Sequence, residues 1–300
     1  MSDRKLTRRD FLTGMIAASA ASLALRELRA GEEPVIAAAA SGPDPAASTR
    51  AAIEALGGIG RFVKRGQRVM LLPNPQGRTQ GTSTRPEIVY EVAGLCREAG
   101  ASKVEICSIH SGGRWQGTGI DKAAERAGVI FRSPETESDW ATLEIKGGRR
   151  HKAIQVVRQA VEYDVLINMP IAKHHGSTRY TGTLKNLMGV NSNDTAWHNG
   201  TAYLVDSIVD LASAVRQTLC VVDATVILAE NGPFGPGRII RPQEVIAGTD
   251  PVAIDSYCAG LLGMKSMDVA TIRQGAERGL GAMNFAESKT GEGLKILRQA

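Results

Sequence analysis

Five short apolar runs, separated by stretches with helical periodicity, restrict this chain more than any other feature. The runs are RVMLL at 68–72, VEICS at 104–108, DVLINM at 164–169, LCVV at 219–222 and VIA at 245–247. A continuous apolar run of four to six residues, lacking a strict polar alternation, suits a strand buried on both faces. Between the runs lie helical segments. The first spans 84–100, with Thr84 as cap, Pro86 and Glu87 in the first turn and Gly100 as the stop. Others are predicted at 119–128, 202–215, 251–263 and 267–279.

Strand and helix in alternation predict an α/β fold. The arrangement is a doubly wound, mostly parallel, Rossmann-like sheet with helices on both faces, in one or two lobes. Ligands bind such sheets beyond the C-terminal strand ends. The unusual polar residues fall there: Asn74 after the first strand, His110 after the second, Lys173-His174-His175 after the third and Asp223 after the fourth.

The amino terminus reads as an address. Thr7-Arg8-Arg9-Asp10-Phe11-Leu12 precedes an Ala-rich apolar run ending at Leu25, with small residues near Ala30. The basic start, moderate apolar stretch and small residues make residues 1–30 a signal peptide. Its arginine pair resembles the twin-arginine export motif, which implies delivery of a folded protein to the periplasm by that machinery. The apolar run, about fifteen residues, is shorter than the roughly twenty a membrane span needs. No membrane span is expected in the mature chain. Residues 31–47 read as a linker, leaving 48–290 as the α/β domain.

The signal carries a net +3 of the formal +5. The remainder is nearly neutral, which gives no electrostatic reason to expect a nucleic-acid partner. Cys96, Cys107, Cys220 and Cys258 have neither zinc-knuckle nor cluster-binding spacing. They read as buried free thiols or as supplying one disulfide. There is no Walker loop, and Gly117-Thr118-Gly119 lacks the third glycine of a dinucleotide fingerprint.

The densest chemistry lies in DVLINMPIAKHHGSTRYTGTLKNLMGVN at 164–191. A buried strand runs into a turn bearing Lys173, His174 and His175, then a small polar loop, then Lys185 and Asn186 at a helix start with Thr183 as cap. Imidazoles and an ammonium gathered at a strand end can bind metal, relay protons or hold an anion. Loop solvation and ordinary capping account for them equally well. A second, acidic set comprises Asp223, Glu230, Asp250 and Asp255. It reads either as a site for a hard metal or basic group, or as turn and cap chemistry. Asp250 before Pro251 favours a helix cap. Asn74 between two prolines is a turn residue or a ligand amide, and Trp197-His198 a packed lid or a site element.

Those segments carry a resemblance. DVLINMPIAKHH leading to TGTLKNLMG is similar to the signature of the domain of unknown function 362 family. VMLLPN at 69–74, TRPEIV at 84–89, VVDA at 221–224, ENGPFGPG at 230–237 and AGTDPVAID at 247–255 agree with it in order. Leu72 stands where that family commonly has Lys. The ferredoxin-like cysteine run of some members is absent, so no iron–sulfur cluster is carried over. The spacing His175, Lys185, Gly189 is also similar to a stretch of the nickel-pincer lactate racemase family. That likeness implies a lysine tethering a nickel cofactor, with histidines as acid/base and metal ligand.

Together these imply a cofactor- or metal-dependent enzyme, of racemase or epimerase type, acting on a small anionic organic molecule. His110 and His175 would serve as acid/base and Lys185 would hold cofactor or substrate. Asn74, Lys173, Asn186, Asp223 and Glu230 would line the cofactor site, and His174 or His198 would bind nickel or another divalent metal. The alternative is a non-catalytic periplasmic metal or ligand carrier, or a maturation partner of an exported redox enzyme.

Overall fold

Strand β2 (Arg68–Pro73) shows why its sequence reads as a nearly unbroken apolar run. Val69 and Leu71 pack into one hydrophobic core, while Met70 and Leu72 pack into another on the opposite face of the sheet. Successive side chains of a strand point to opposite faces, so both faces must be covered. Each such buried side chain contributes about 1.5–3 kcal/mol. The same division holds for β7 (Val165–Met169) and β10 (Leu219–Ala224), whose residues are all buried.

The computed structural model describes residues 36–40, 44–77, 79–110, 112–283 and 294–298. The predicted signal peptide lies outside the described residues. The central sheet has eight strands in the order β14-β1-β13-β10-β7-β2-β3-β4. The strands not yet placed are β1 (Ile36–Ala40), β3 (Lys103–Cys107), β4 (Ile130–Arg132), β13 (Glu244–Gly248) and β14 (Leu294–Arg298). From β4 through β3, β2 and β7 to β10 every pairing is parallel. β13 is antiparallel to both β10 and β1. The chain runs from β2 outward through β3 to β4, then returns to the other side of β2 as β7 and continues to β10. The boundary between β2 and β7 is therefore where the winding reverses, the place where open α/β sheets form ligand crevices.

Helices α1 (Pro45–Ala55), α2 (Pro86–Glu98) and α4 (Ile120–Arg126) cover one face. Helices α8 (Thr201–Ala214), α9 (Pro251–Leu261) and α10 (Ala270–Glu277) cover the other. Four short helices complete the set: α3 (Gly112–Trp115), α5 (Gln159–Glu162), α6 (Thr183–Asn186) and α7 (Asp194–Trp197). Both cores share one sheet, so the described residues form one lobe. All four cysteines are free and buried. No described helix is long and apolar enough to cross a membrane.

Several local expectations change. The segment read as linker, 31–47, contains β1 and the start of α1, and β14 lies past the expected boundary at 290. An alanine run lacks a strand signature; its backbone partners come from β13 and β14. Asp44-Pro45 is a cap signature, and Asp44 Oδ1 accepts from Ala46 N at 2.9 Å. Asp250 caps α9 in the same way, as expected. Thr84 does not cap α2: its hydroxyl donates to Met169 O at 2.6 Å and accepts from Asn74 N at 2.9 Å, tying the ends of β7 and β2 together. Thr183 is inside α6, its hydroxyl donating to Pro251 O at 2.8 Å.

Three small antiparallel pairs went unpredicted: β5 (Trp140–Glu144) with β6 (Ala153–Val157), β8 (Lys173–His175) with β9 (Arg179–Thr181), and β11 (Ile227–Leu228) with β12 (Ile239–Ile240).

Candidate functional site

A cavity of about 340 Å³ opens beyond the C-terminal ends of β2, β3 and β7. Its wall is assembled from elements far apart in sequence. Asn74 follows β2, His110 follows β3, Lys173 and His175 come from β8, Lys185 and Asn186 from α6, and Asp194 and His198 from α7 and its end.

The pairing of β8 with β9 decides which of the three consecutive basic residues face this space. In a strand, alternate side chains share a face. Lys173 and His175 are buried and line the cavity, while His174 between them points away. His174 Nδ1 accepts the Gly232 N–H at 3.1 Å. That contact needs glycine, since a Cβ at 232 would lie 1.8 Å from the His174 carbonyl oxygen.

Beneath the cavity runs a directional chain of amides. Lys173 Nζ donates to Thr82 O at 2.5 Å and to Asn74 Oδ1 at 3.2 Å. Asn74 Nδ2 donates to Asn186 Oδ1 at 2.8 Å. Asn186 Nδ2 donates to Leu72 O at 2.8 Å and Asn168 Oδ1 at 2.7 Å, and Asn168 Nδ2 to Thr183 O at 2.7 Å. A satisfied buried network rigidifies its members, because leaving any one amide unpaired costs about 1–3 kcal/mol. Asn74 and Asn186 are thereby fixed as supports of Lys173 and of the turn carrying Lys185.

Asp255, on α9, holds that turn from behind. Its Oδ1 accepts Thr183 N at 2.6 Å and its Oδ2 accepts Leu184 N at 3.1 Å, so it caps α6 from another element. Gly182 is required for this approach, because a Cβ there would lie 2.2 Å from Asp255 Oδ1. Burial raises the Asp255 carboxyl to about 7 despite these hydrogen bonds.

The electrostatics of the cavity are one-sided. Arg114, Lys173 and Lys185 line it with His110, His175 and His198, against one carboxylate, Asp194. Burial, reinforced by Lys185 and Arg114, pushes the Lys173 amine well below its ordinary range. Burial lowers Lys185 to about 8, with Asp194 opposing the shift. His110 falls to about 4 through burial, Arg114 and Lys173, and His175 to about 3 through burial and then Lys185. Both imidazoles are neutral at neutral pH. An anion entering the cavity would relieve the repulsion among these groups.

His110 is held by its backbone: its carbonyl accepts from Trp115 Nε1 and Ser133 Oγ, both at 2.8 Å. His175 Nδ1 accepts the Ser177 and Thr178 amides at 3.2 and 3.3 Å. His198 Nδ1 lies 2.7 Å from Asp194 O. Its neighbour Trp197 is core, stacked on His151 with ring centroids 4.7 Å apart.

Of the predicted residues, Asn74, His110, Lys173, His175, Lys185, Asn186 and His198 are brought to one cavity. His174, Asp223 and Glu230 are not. Asp223 is fully buried, its Oδ1 accepting Thr225 N at 2.9 Å and its Oδ2 accepting Arg85 N at 2.8 Å. Glu230 is exposed and pairs with Arg238 at 2.8 Å. Sequence reasoning missed Arg114, Asp194 and Phe234; they sit on a four-residue helix, another short helix and a loop, where periodicity gives no signal. Among the described residues no group of three or more His, Cys, Asp or Glu side chains is placed to hold a metal ion.

The family described as a domain of unknown function, DUF362, matches residues 69–260. The thylakoid-associated protein sll1697 of Synechocystis sp. is 32% identical over 245 residues, covering 75% of this chain and 71% of that protein. Among solved structures, the lactate racemase apoprotein from Thermoanaerobacterium thermosaccharolyticum is similar with a TM-score of 0.43 and 14% identity. That likeness covers 72% of this chain and about half, 54%, of the racemase chain. With the family signature spanning β2 to α9 and a relative at this identity, the chain belongs to the DUF362 family.

Proposed function

We propose that the protein is an enzyme that binds a small anionic organic molecule in the cavity beyond β2 and β7 and moves a proton on it, in a racemase- or epimerase-like reaction. The observation that carries this reading is the gathering of Lys173, Lys185, Arg114 and three histidines around one cavity that holds a single carboxylate. An amine lowered to about 8 is a usable acid or base near neutral pH, and a buried cationic wall strengthens every contact to an anion.

Lys185 would hold the substrate or a cofactor. A cofactor that brings its own metal ligands, such as a nickel-bearing one, would find Lys185 and His198 on the wall. Elemental analysis and intact mass of protein from its own host test that version. Stoichiometric metal with added mass at Lys185 supports it; neither, in folded protein, ends it. The variant Lys185→Ala should remain folded, since it removes an amine buried without an ion-pair partner, and should lose ligand retention and activity. A fully active alanine variant refutes the role.

A non-catalytic ligand carrier or maturation partner is the second reading. The low basicity of His110 and His175 favours it, because bases at about 4 and 3 remove protons poorly at neutral pH. It expects tight binding with no turnover in the wild-type protein, and His110 variants that weaken binding with no rate to lose. The arginine pair at Arg8 and Arg9 supports export to the periplasm by the twin-arginine machinery. Amino-terminal sequencing of protein from fractionated cells tests it, and a cytoplasmic chain retaining residues 1–30 would refute it.

A further inference from the structure

Two cavity histidines have fixed and opposite hydrogen-bonding polarity. A backbone amide can only donate and a backbone carbonyl can only accept. His175 Nδ1 faces the amides of Ser177 at 3.2 Å and Thr178 at 3.3 Å. It must present a lone pair to them, so the one proton of the neutral ring sits on Nε2. His198 Nδ1 faces the carbonyl oxygen of Asp194 at 2.7 Å, so it must carry a proton there, and in the neutral ring the lone pair is on Nε2. Both rings lie on the cavity wall, with centroids 6.2 Å apart and planes inclined by 35°.

We infer that His175 and His198 form an opposed pair that reads the ligand: His175 Nε2–H donates to an acceptor atom of it, and His198 Nε2 accepts from a donor atom. This rests on the reading of the cavity as a binding site for a small anionic molecule. It reassigns one role expected from the sequence. His175 is a hydrogen-bond donor and not the acid/base, which leaves the Lys185 amine to take a proton from the ligand. The fold supports the division. His175 is buried at the start of a tight hairpin turn whose two amides lock the ring, whereas His198 sits at the exposed end of α7 and turns its Nδ1 back onto its own helix. A neutral imidazole fixed by backbone partners can stabilise an oxyanion without giving up its proton.

The test is long-range proton–nitrogen NMR on histidine-labelled protein at neutral pH, with the five histidines assigned by single His→Gln variants. His175 should show a protonated Nε2 and His198 a protonated Nδ1; the reverse at either residue overturns the proposal. Titration with inorganic phosphate supplies the ligand arm. His175→Gln, which keeps an N–H near the Nε2 position, should bind phosphate within about threefold of wild type. His175→Leu should lose about tenfold or more, the worth of a hydrogen bond to a charged group. Equal losses in the two variants would overturn the donor role. Failure of wild-type protein to bind phosphate at all, with the tautomers as stated, would count against the anionic-ligand reading while supporting the polarity of the pair.

Discussion

The buried carboxylates and the basic residues that line the cavity have opposite fates. Asp223, Asp250 and Asp255 are consumed by backbone amides: those of Thr225 and Arg85, of Val252, Ala253 and Ala282, and of Thr183 and Leu184. Among the described residues the side chains of Lys185, Arg114 and His110 have no hydrogen-bond partner, and they face the cavity. A parallel sheet with helices on its faces exposes helix amino termini near the strand ends, and carboxylates are what those termini need. The acids therefore build the frame, and the chemistry left over for a ligand is basic.

The comparison breaks most visibly where frame and site meet. Gly182→Ala would drive a Cβ into Asp255 and Tyr180 and should destabilise the protein by about 3 kcal/mol or more. Asp255→Ala leaves two buried amides unpaired and should cost about 2–4 kcal/mol. Both should also weaken ligand binding by displacing Lys185. Chemical denaturation with phosphate titration checks this. Wild-type stability in either variant would mean that Asp255 does not hold α6.

A middle-sized effect lies in pH dependence, which has opposite sign in the two regions. The Asp255 carboxyl is raised to about 7 in the fold. Its contribution is present at acid pH, below the unfolded carboxyl's range, and is lost as pH rises through about 7. The His175 imidazole is lowered from 6.5 to about 3. Its contribution is present above about 6.5 and is lost as pH falls toward 3. Asp255→Asn should therefore remove a loss of stability between about pH 4 and 7, and His175→Gln should flatten the fall between about pH 6.5 and 3. Thermal melts across pH check both, and parallel profiles for the two variants would refute the division.

The smallest effect belongs to an acid that neither caps nor faces the cavity. Glu230→Gln removes an exposed pair with Arg238 and should shift the melting temperature by about a degree or less, with phosphate binding unchanged. A loss of binding would return Glu230 to the site.

Much of the fold was legible before the structure. The runs at 68–72, 164–169 and 219–222 became β2, β7 and β10, and the helices over 84–100, 202–215 and 251–263 became α2, α8 and α9. Burial on both faces leaves that pattern in the residues themselves. The edges were not legible, because an alanine strand is specified by what pairs with it. Within the site, Lys-His-His read as one cluster, yet a three-residue strand turns His174 away from its neighbours. Two or three residues are too few for a period to appear.

By itself the sequence determined the alternation of buried strands with helices, and with it the strand ends at which a site is expected, since apolar continuity and capping residues are local properties. Only the tertiary structure decided which polar residues are framework and which are free. That depends on whether a backbone group of matching polarity, an N–H for a carboxylate or a carbonyl for an amine, reaches the side chain from a distant element. Asp223 meets one 138 positions away, at Arg85, and the side chain of Lys185 meets none among the described residues.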